Sequence, residues 1–323
     1  MTLRIRRKLL PIAALLFVPV LGACGLKPAS AFIPDVSPGS IKADPALKGV
    51  TIRVTSKDFT EQLVLGKMTV QALKVMGADV QDRTNVQGST AARNSMLHDD
   101  NDVQWEYTGT GWITYLGHDT PVPDSTKQYE VVRNEDLKKN GIVWLKPSTF
   151  NNTYAIAVTA KNAQKYGLKN LSDITKVPAA QRTFCLETEF ASRPDGMPGM
   201  LKAYDMTVPQ SQWKRMGTGV VYDTTAKGGC TFGEVFDTDG RVKALNLTTL
   251  KDDKKFFPIY NPSVTFRKQI YDKAPKAFDA AFAQISSKLN TDVMRELNAK
   301  VDVEGQDPAI VAKDWMVKEG LVK

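Results

Sequence analysis

The stretch GVTIRVTSKDFTEQLVLGKMTVQALKVMG, residues 49 to 77, indicates the fold class of this 323-residue chain. Residues 49 to 56 alternate apolar and polar side chains, as a β-strand with one buried face does. Asp58 and Glu61 have the spacing of a capping box, which predicts the start of a helix. Apolar residues then recur on one helical face before Gly77 ends the pattern: Leu65, Met68, Ala72 and Val75. A strand followed directly by an amphipathic helix is typical of an α/β protein.

The alternation of strands and helices continues, and it restarts further along the chain. Residues 89 to 97 (STAARNSML) predict a helix capped by Ser89, and residues 101 to 107 (NDVQWEY) return to a strand. This order favours a parallel sheet flanked by helices. TYAIAVT (153 to 159) then begins a second set of elements, and the chain from residue 274 onward is predicted to be helical. We therefore expect an α/β fold with two lobes and a helical C-terminal segment packed on one of them.

The N-terminal residues are arranged as in the signal peptide of an exported protein. Basic residues precede an apolar run that is too short for a membrane-spanning helix, and residues 1 to 23 therefore read as a signal peptide. Leu21 to Cys24 resemble the bacterial lipobox, which implies cleavage before Cys24 and lipid on its thiol. The alternative is an ordinary signal peptide with an incidental cysteine. Residues 24 to 47, rich in Pro, Ser, Ala and Gly, are expected to form a tether. We expect an extracytoplasmic protein that is lipid-anchored to the cell membrane.

Composition and motifs argue against several classes of protein. The first 23 residues carry four basic and no acidic side chains, so the formal charge of +8 falls to +4 for the remainder. No Lys/Arg block is interleaved with aromatic residues, and nucleic acid is not an expected partner. The chain has only two histidines and no GxSxG motif, so the sequence does not predict an enzyme.

Two cysteines remain after Cys24, namely Cys185 and Cys230. An oxidising compartment permits them to form a disulfide, and the alternative is two buried free thiols. They are not spaced as CxxC and no His/Cys cluster accompanies them, so neither a metal nor a cofactor is predicted.

Two α/β lobes on an exported chain are the typical architecture of a solute-binding protein. In such folds the ligand lies beyond the carboxyl ends of the strands. The chain resembles, from residue 50 to 323, the substrate-binding proteins of bacterial ABC importers for quaternary ammonium compatible solutes (glycine betaine, choline, carnitine). The resemblance rests on SKDFTEQLVLGKM (56–68), EYTGTGW (106–112), NNTYAIAV (151–158), FASRPDGMPGMLKAY (190–204), TDGRVKALNL (238–247) and LKDDKKFFPIY (250–260). It implies a two-lobed periplasmic-binding-protein fold, similar to type II, with the ligand cleft between the lobes.

The resemblance also implies an aromatic cage. A trimethylammonium group has no hydrogen-bond donor and is held against aromatic faces by cation–π attraction. Tyr107, Tyr154 and Tyr260 match three cage tyrosines of the family. Phe236 stands at the fourth position, where similar proteins often carry tyrosine; it keeps the ring face, loses the hydroxyl and leaves the fine ligand preference open.

Lys57, Arg193 and Thr110 match a set of residues that would hold the carboxylate of a zwitterionic ligand. A buried carboxylate favours charged donors, and arginine offers a planar fork. Choline would leave Lys57 and Arg193 facing no anion, so the sequence favours glycine betaine or a related betaine. The alternatives are a surface position for Lys57 and the pairing of Arg193 with Asp195.

The lobes are expected to comprise residues 48 to 150 with 261 to 323, and residues 151 to 260. The resemblance implies delivery of the solute to ABC permease subunits with a cytoplasmic ATPase, for osmoprotective uptake. Two rival interpretations stay open. The first is a binder of choline or another cationic solute on the same fold, and the second is a lipid-anchored sensor or adaptor without a transport role.

Overall fold

The computed structural model describes residues 32 to 323. The strands are β1 (Thr51–Lys57), β2 (Asp79–Val86), β3 (Val103–Tyr107), β4 (Ile142–Trp144), β5 (Tyr154–Thr159), β6 (Phe184–Glu187), β7 (Trp213–Met216), β8 (Phe232–Phe236), β9 (Leu247–Leu250) and β10 (Pro262–Arg267). The helices are α1 (Thr60–Val75), α2 (Ser89–Leu97), α3 (Thr108–Thr110), α4 (Ser125–Asn140), α5 (Ala160–Tyr166), α6 (Met197–Ala203), α7 (Thr218–Ala226), α8 (Arg241–Ala244), α9 (Lys268–Tyr271), α10 (Pro275–Lys288), α11 (Thr291–Asp302) and α12 (Pro308–Lys318). The predicted signal peptide, Cys24 and the start of the predicted tether lie outside the described residues.

The strands form two five-stranded sheets of matching order, β2-β1-β3-β10-β4 in the first lobe and β7-β6-β8-β5-β9 in the second lobe. The predicted two-lobed α/β architecture is confirmed. The parallel pairing predicted from residues 49 to 107 is confirmed for β1 with β2 and β3, but both sheets are mixed, because β10 runs antiparallel to β3 and β4, and β5 runs antiparallel to β8 and β9. Tyr107 pairs with Pro262 and Phe236 pairs with Tyr154, so β5 and β10 each begin where a parallel strand ends. A chain that enters a lobe at the carboxyl edge of its strands can only run back along them.

Helix α1 buries the predicted apolar face against the first sheet, but it does not begin with a capping box. Phe59 precedes its first turn and provides no side-chain cap. Asp58 instead accepts the Gly88 N–H at 3.2 Å, and the Glu61 side chain is buried between the lobes. Ser89 is the first residue of α2 and not its cap. Both predictions failed because these polar side chains find partners on other elements, which spacing along one helix does not show.

The tether prediction is wrong for residues 37 to 47. Ser37 and Lys323 exchange two backbone hydrogen bonds of 2.8 Å, and the Ile41 N–H donates to Leu321 O at 3.0 Å. Ile41 and Leu47 are fully buried in the core of the first lobe. A segment without periodicity still packs when a chain end offers it backbone partners.

The C-terminal helices pack on the first lobe, as the sequence predicts. Phe278 and Phe282 of α10 lie against Phe266 of β10, with ring centroids 4.6 and 5.6 Å apart. The second lobe has its own core and contains the disulfide between Cys185 and Cys230, whose Cα atoms lie 5.6 Å apart. The predicted pairing of these cysteines is therefore confirmed. Between residues 32 and 323, no helix has the length and apolar character needed to cross a bilayer.

Candidate functional site

The four predicted cage residues lie at strand ends beside the two crossings of the chain between the lobes. Tyr107 and Phe236 are the last residues of β3 and β8, and Tyr154 is the first residue of β5. Tyr260 lies two residues before β10. Because the antiparallel strands begin at the carboxyl ends of the parallel strands, all four rings reach the same cleft.

A cavity at this crossing brings together all seven predicted ligand-binding residues, namely Lys57, Tyr107, Thr110, Tyr154, Arg193, Phe236 and Tyr260. The centres of water-sized molecules can occupy about 30 Å³ of it. The cavity is therefore small, and its lining combines aromatic rings with charged side chains.

The rings form a connected cluster around the cavity. The centroid of Tyr154 lies 5.3 Å from that of Phe236 and 5.5 Å from that of Tyr260, which it meets edge-on. Phe59 stacks on Phe236 at 5.0 Å and lies 6.1 Å from Tyr107. Sequence reasoning missed Phe59, although it stands in the SKDF stretch two residues after Lys57. Phe59 also lines the cavity and completes the aromatic wall.

Two of the three cage tyrosines direct their hydroxyl groups to buried carboxylates. The Tyr107 hydroxyl donates to Glu61 Oε1 at 2.7 Å, and the Tyr260 hydroxyl donates to Asp195 Oδ2 at 2.7 Å. Burial raises the pKa of Tyr107, Tyr154 and Tyr260 well above its ordinary value. These rings therefore stay neutral at physiological pH and offer their faces to a cation.

Both predicted cationic ligand residues are buried and already paired with carboxylates. Lys57 is 3% exposed, and its Nζ donates to Glu106 Oε1 at 2.7 Å. Arg193 is 5% exposed and forms a fork with Asp195, at 2.7 Å from Nε and 2.6 Å from Nη2. A second carboxylate, Glu189, accepts from Arg193 Nη1 at 2.7 Å. The pairing of Arg193 with Asp195 is confirmed, and a surface position for Lys57 is wrong. The argument that choline would leave both cations facing no anion is also wrong.

Thr110 and Glu189 join the two lobes beside these ion pairs. Arg193 Nη2 donates to Thr110 Oγ1 at 3.3 Å, and the Ser89 N–H donates to Glu189 Oε2 at 2.7 Å. Burial alone would raise the pKa of Glu189, but Arg193 and Lys57 outweigh it and lower the pKa to about 2. Glu189 is therefore ionised whenever the protein is folded at neutral pH.

Acidic side chains that sequence reasoning missed also line the cavity: Asp58, Glu187 and Glu189. Burial raises the pKa of Glu187. Glu234 lies behind it and accepts the Glu187 N–H at 3.1 Å. Burial, with a contribution from Glu187, raises the pKa of Glu234 to about 8. Glu187 stands at the carboxyl end of β6, where ligands bind in such folds, and that position was the available signal.

The turn after β3 has room only for glycine at position 109, because the Tyr260 ring packs against it. A Cβ atom at this position would lie 2.7 Å from Cδ1 and 2.8 Å from Cε1 of Tyr260. The glycine therefore lets the turn that carries Thr110 approach the Tyr260 ring.

Residues 50 to 318 match the model of the OpuAC family, described as the substrate binding domain of ABC-type glycine betaine transport system. The chain belongs to this family. This OpuAC-family chain is 37% identical over 280 residues to the glycine-betaine-binding protein of Pseudomonas aeruginosa. The match covers 84% of this chain and 89% of that protein. It is 30% identical over 283 residues to the glycine betaine-binding protein YehZ of Escherichia coli, covering 84% and 92% of the two chains.

A solved structure titled glycine betaine/carnitine/choline ABC transporter matches with a TM-score of 0.67 and 26% identity, over 83% of this chain and 98% of that chain. The comparisons confirm the family and the two-lobed fold that the sequence predicts. The OpuAC-family chain is accordingly a substrate-binding protein of the ABC-importer class, which acts outside the cytoplasm.

Proposed function

We propose that this OpuAC-family protein captures a quaternary ammonium compatible solute, with glycine betaine or a related betaine as the preferred ligand. It then delivers the solute to an ABC permease for osmoprotective uptake. The observation that carries the proposal is the convergence of Tyr107, Tyr154, Phe236 and Tyr260 on one small cavity between the lobes. The relatives named above, which are glycine-betaine-binding proteins, support the same class of ligand.

In the proposed complex the trimethylammonium group lies against the rings, and the carboxylate of the ligand faces Lys57, Arg193 and Thr110. A lysine ammonium has three donors, and Glu106 accepts one from Lys57. The existing ion pairs hold both cations in place, so a ligand carboxylate meets donors that are already oriented. Ordered donors lose less conformational entropy when the ligand binds.

We also propose that the two lobes, residues 48 to 150 with 261 to 323 and residues 151 to 260, close on the ligand. The cage draws Tyr107 from one lobe and Tyr154 from the other. A ligand that contacts both lobes binds the closed state more tightly and shifts the population toward it. Contacts across the cleft support this, including the hydrogen bond between Arg193 and Thr110.

A second candidate ligand is choline, and the acidic lining of the cavity favours it. Asp58, Glu187 and Glu189 face the same space as the two cations, each of which already has a carboxylate partner. A cationic ligand that lacks a carboxylate group is therefore not repelled by an unpaired lysine or arginine in the cavity. Choline would therefore satisfy the cage without needing the proposed carboxylate contacts.

Calorimetric titration separates these ligands. The chain from residue 32 would be titrated with glycine betaine, carnitine, proline betaine, choline and, as a control, proline. We expect saturable heat with the betaines and weaker binding of choline. Choline binding alone would reject the carboxylate contacts, and no heat with any quaternary ammonium compound would reject the proposed function.

Two variants test the named residues. Tyr154→Ala should weaken glycine betaine binding by about 30-fold, because a desolvated ring contributes about 2 kcal/mol to holding a cation. Lys57→Gln should weaken glycine betaine more than choline. The exposed Lys161→Gln is the matched control for charge and should leave both affinities unchanged. Wild-type affinity of Tyr154→Ala would contradict the cage.

We further propose that residues 1 to 23 are removed as a signal peptide and that Cys24 carries the lipid anchor. The leader sequence supports this, and Cys24 stands 13 residues before Ser37, where the described chain docks on Lys323. Thirteen residues span at most about 45 Å, so the folded body would stay close to the membrane. Cys24→Ala should move the protein from the membrane fraction to the soluble fraction. Unchanged fractionation would reject the anchor.

A further inference from the structure

Glu61 is a buried carboxylate between the lobes that no part of the proposed function uses. It is 2% exposed and lies in the first turn of α1. Its Oε1 atom accepts from the Tyr107 hydroxyl at 2.7 Å and from Asn152 Nδ2 at 2.9 Å. Its Oε2 atom accepts from Thr238 Oγ1 at 2.5 Å and from Asn298 Nδ2 at 3.4 Å.

The four partners are neutral, and they come from four parts of the fold. Tyr107 ends β3, Asn152 follows the crossing into the second lobe, Thr238 follows β8, and Asn298 lies on α11. No Lys or Arg of residues 32 to 323 is within ion-pair distance of Glu61. Burial raises the pKa of Glu61, and the hydrogen bonds from these four groups act in the opposite direction. Four donors around two oxygens favour an ionised carboxylate, which accepts hydrogen bonds and donates none. In that form Glu61 places a negative charge at the hydroxyl end of a cage ring.

A negative charge behind a cage ring acts on a bound cation in two ways. A phenol that donates to a carboxylate is polarised, so electron density on the Tyr107 ring face increases and its attraction for a cation grows. The carboxylate charge also attracts the cation directly across a low-dielectric interface. Neither effect acts on an uncharged group of the same shape.

We propose that Glu61 is a positioning residue that sets the preference of the cage for a cationic head group over a neutral one. It does so by fixing and polarising the Tyr107 ring and by supplying a carboxylate at its hydroxyl end, whereas Lys57 Nζ lies 5.1 Å from the centroid of the same ring. The hydrogen bond to Thr238 comes from the second lobe, so the same carboxylate holds the ring in place when the lobes are closed. This proposal rests on the proposed function, because it concerns the selectivity of the same site.

Pairs of ligands that differ only in charge provide the test. Glycine betaine is compared with tert-butylacetate, and choline with its tert-butyl analogue, in which carbon replaces the quaternary nitrogen. The measured quantity is the ratio of the Kd of the neutral-headed ligand to that of the cationic one, with weak ligands measured by displacement. Glu61→Gln should lower this ratio by about tenfold or more, as expected for the loss of one charge within about 12 Å at an effective dielectric constant of about 20.

Thr110→Val is the matched control, because it removes a hydroxyl from the cavity lining at a position that forms no hydrogen bond with Glu61. It should weaken both members of each pair equally and leave the ratio unchanged. Tyr107→Phe is the second variant, and it keeps the proposal testable if Glu61→Gln does not fold. It retains the ring, breaks its hydrogen bond to Glu61, and should also lower the ratio.

The outcomes separate the two proposals. If the wild-type protein binds quaternary ammonium ligands and folded Glu61→Gln weakens both members of each pair equally, Glu61 has only a structural role and this inference fails alone. An unchanged ratio in Tyr107→Phe, when Glu61→Gln does not fold, overturns it as well. If the wild-type protein binds no quaternary ammonium ligand, the proposed function fails, and this inference fails with it.

Discussion

Replacing Gly109 with alanine should weaken ligand binding while leaving the fold intact. Gly109 lies in the short helix α3 with an ordinary helical backbone, so alanine is compatible with its conformation. The added Cβ atom would lie 2.7 Å from Tyr260 Cδ1 and 2.9 Å from Ile259 O. Carbon atoms in contact prefer a separation of about 3.5–4.0 Å. The Tyr260 ring must therefore shift by about 1 Å.

The ring has little freedom to make that shift. Its hydroxyl donates to Asp195, and its edge meets Tyr154 at a centroid distance of 5.5 Å. Overpacking of a well-filled site costs about 1–3 kcal/mol. If that cost falls on the closed, ligand-holding arrangement, it corresponds to a loss of affinity of about fivefold to 150-fold.

Calorimetric titration with glycine betaine measures the loss, and thermal unfolding shows whether the fold is retained. Gly217→Ala is the matched control. Gly217 precedes α7 next to the cavity residue Thr218, its φ is −68°, and a Cβ atom there would meet nothing within 4 Å. Gly217→Ala should bind like the wild type. Affinity of Gly109→Ala within about twofold of wild type would refute the assigned contact between Gly109 and the Tyr260 ring.

Three further predictions concern stability. The raised pKa of Glu234, about 8, means that the folded protein keeps a proton that the unfolded chain releases near pH 4.5. The free energy of unfolding should then fall by up to about 1.4 kcal/mol per pH unit between pH 5 and 8, and urea titrations of Glu234→Gln should lack that part of the slope. Replacing Cys185 and Cys230 with alanine opens a loop with a sequence separation of 45 and should cost about 4 kcal/mol, seen as a lower Tm that reductant does not change further. Arg193→Gln should cost about 3–5 kcal/mol in urea unfolding, because Asp195 is left buried without its cation; a loss below about 1 kcal/mol would contradict that.

Much of the site could be predicted because its residues lie at strand ends within local motifs. Tyr107, Tyr154, Phe236 and Tyr260 were placed by resemblance, and the structure brings them to one cavity. Phe59 was missed, since nothing in SKDF distinguishes a cage ring from an ordinary apolar residue that precedes a helix.

The charge balance of the site could not be predicted. Lys57 and Glu106 are separated by 49 residues, and Arg193 meets Thr110 across the cleft between the lobes. Sequence spacing does not show such pairs, because each depends on which strand ends face one another. The same reason explains Glu61, which has the spacing of a capping residue and instead binds four groups of the lobe interface.

The sequence alone determined the order of strands and helices, the second set of elements that makes two lobes, and the residues available for a cage. These are local properties, since alternation, helical periodicity and short motifs depend on neighbours along the chain. The tertiary structure decided the antiparallel entry of β5 and β10, the docking of residues 37 to 47 on the C-terminus, and the partner of each buried charge. These depend on where distant segments meet. A buried polar group is stabilised only by whichever hydrogen-bond partner the folded chain places beside it.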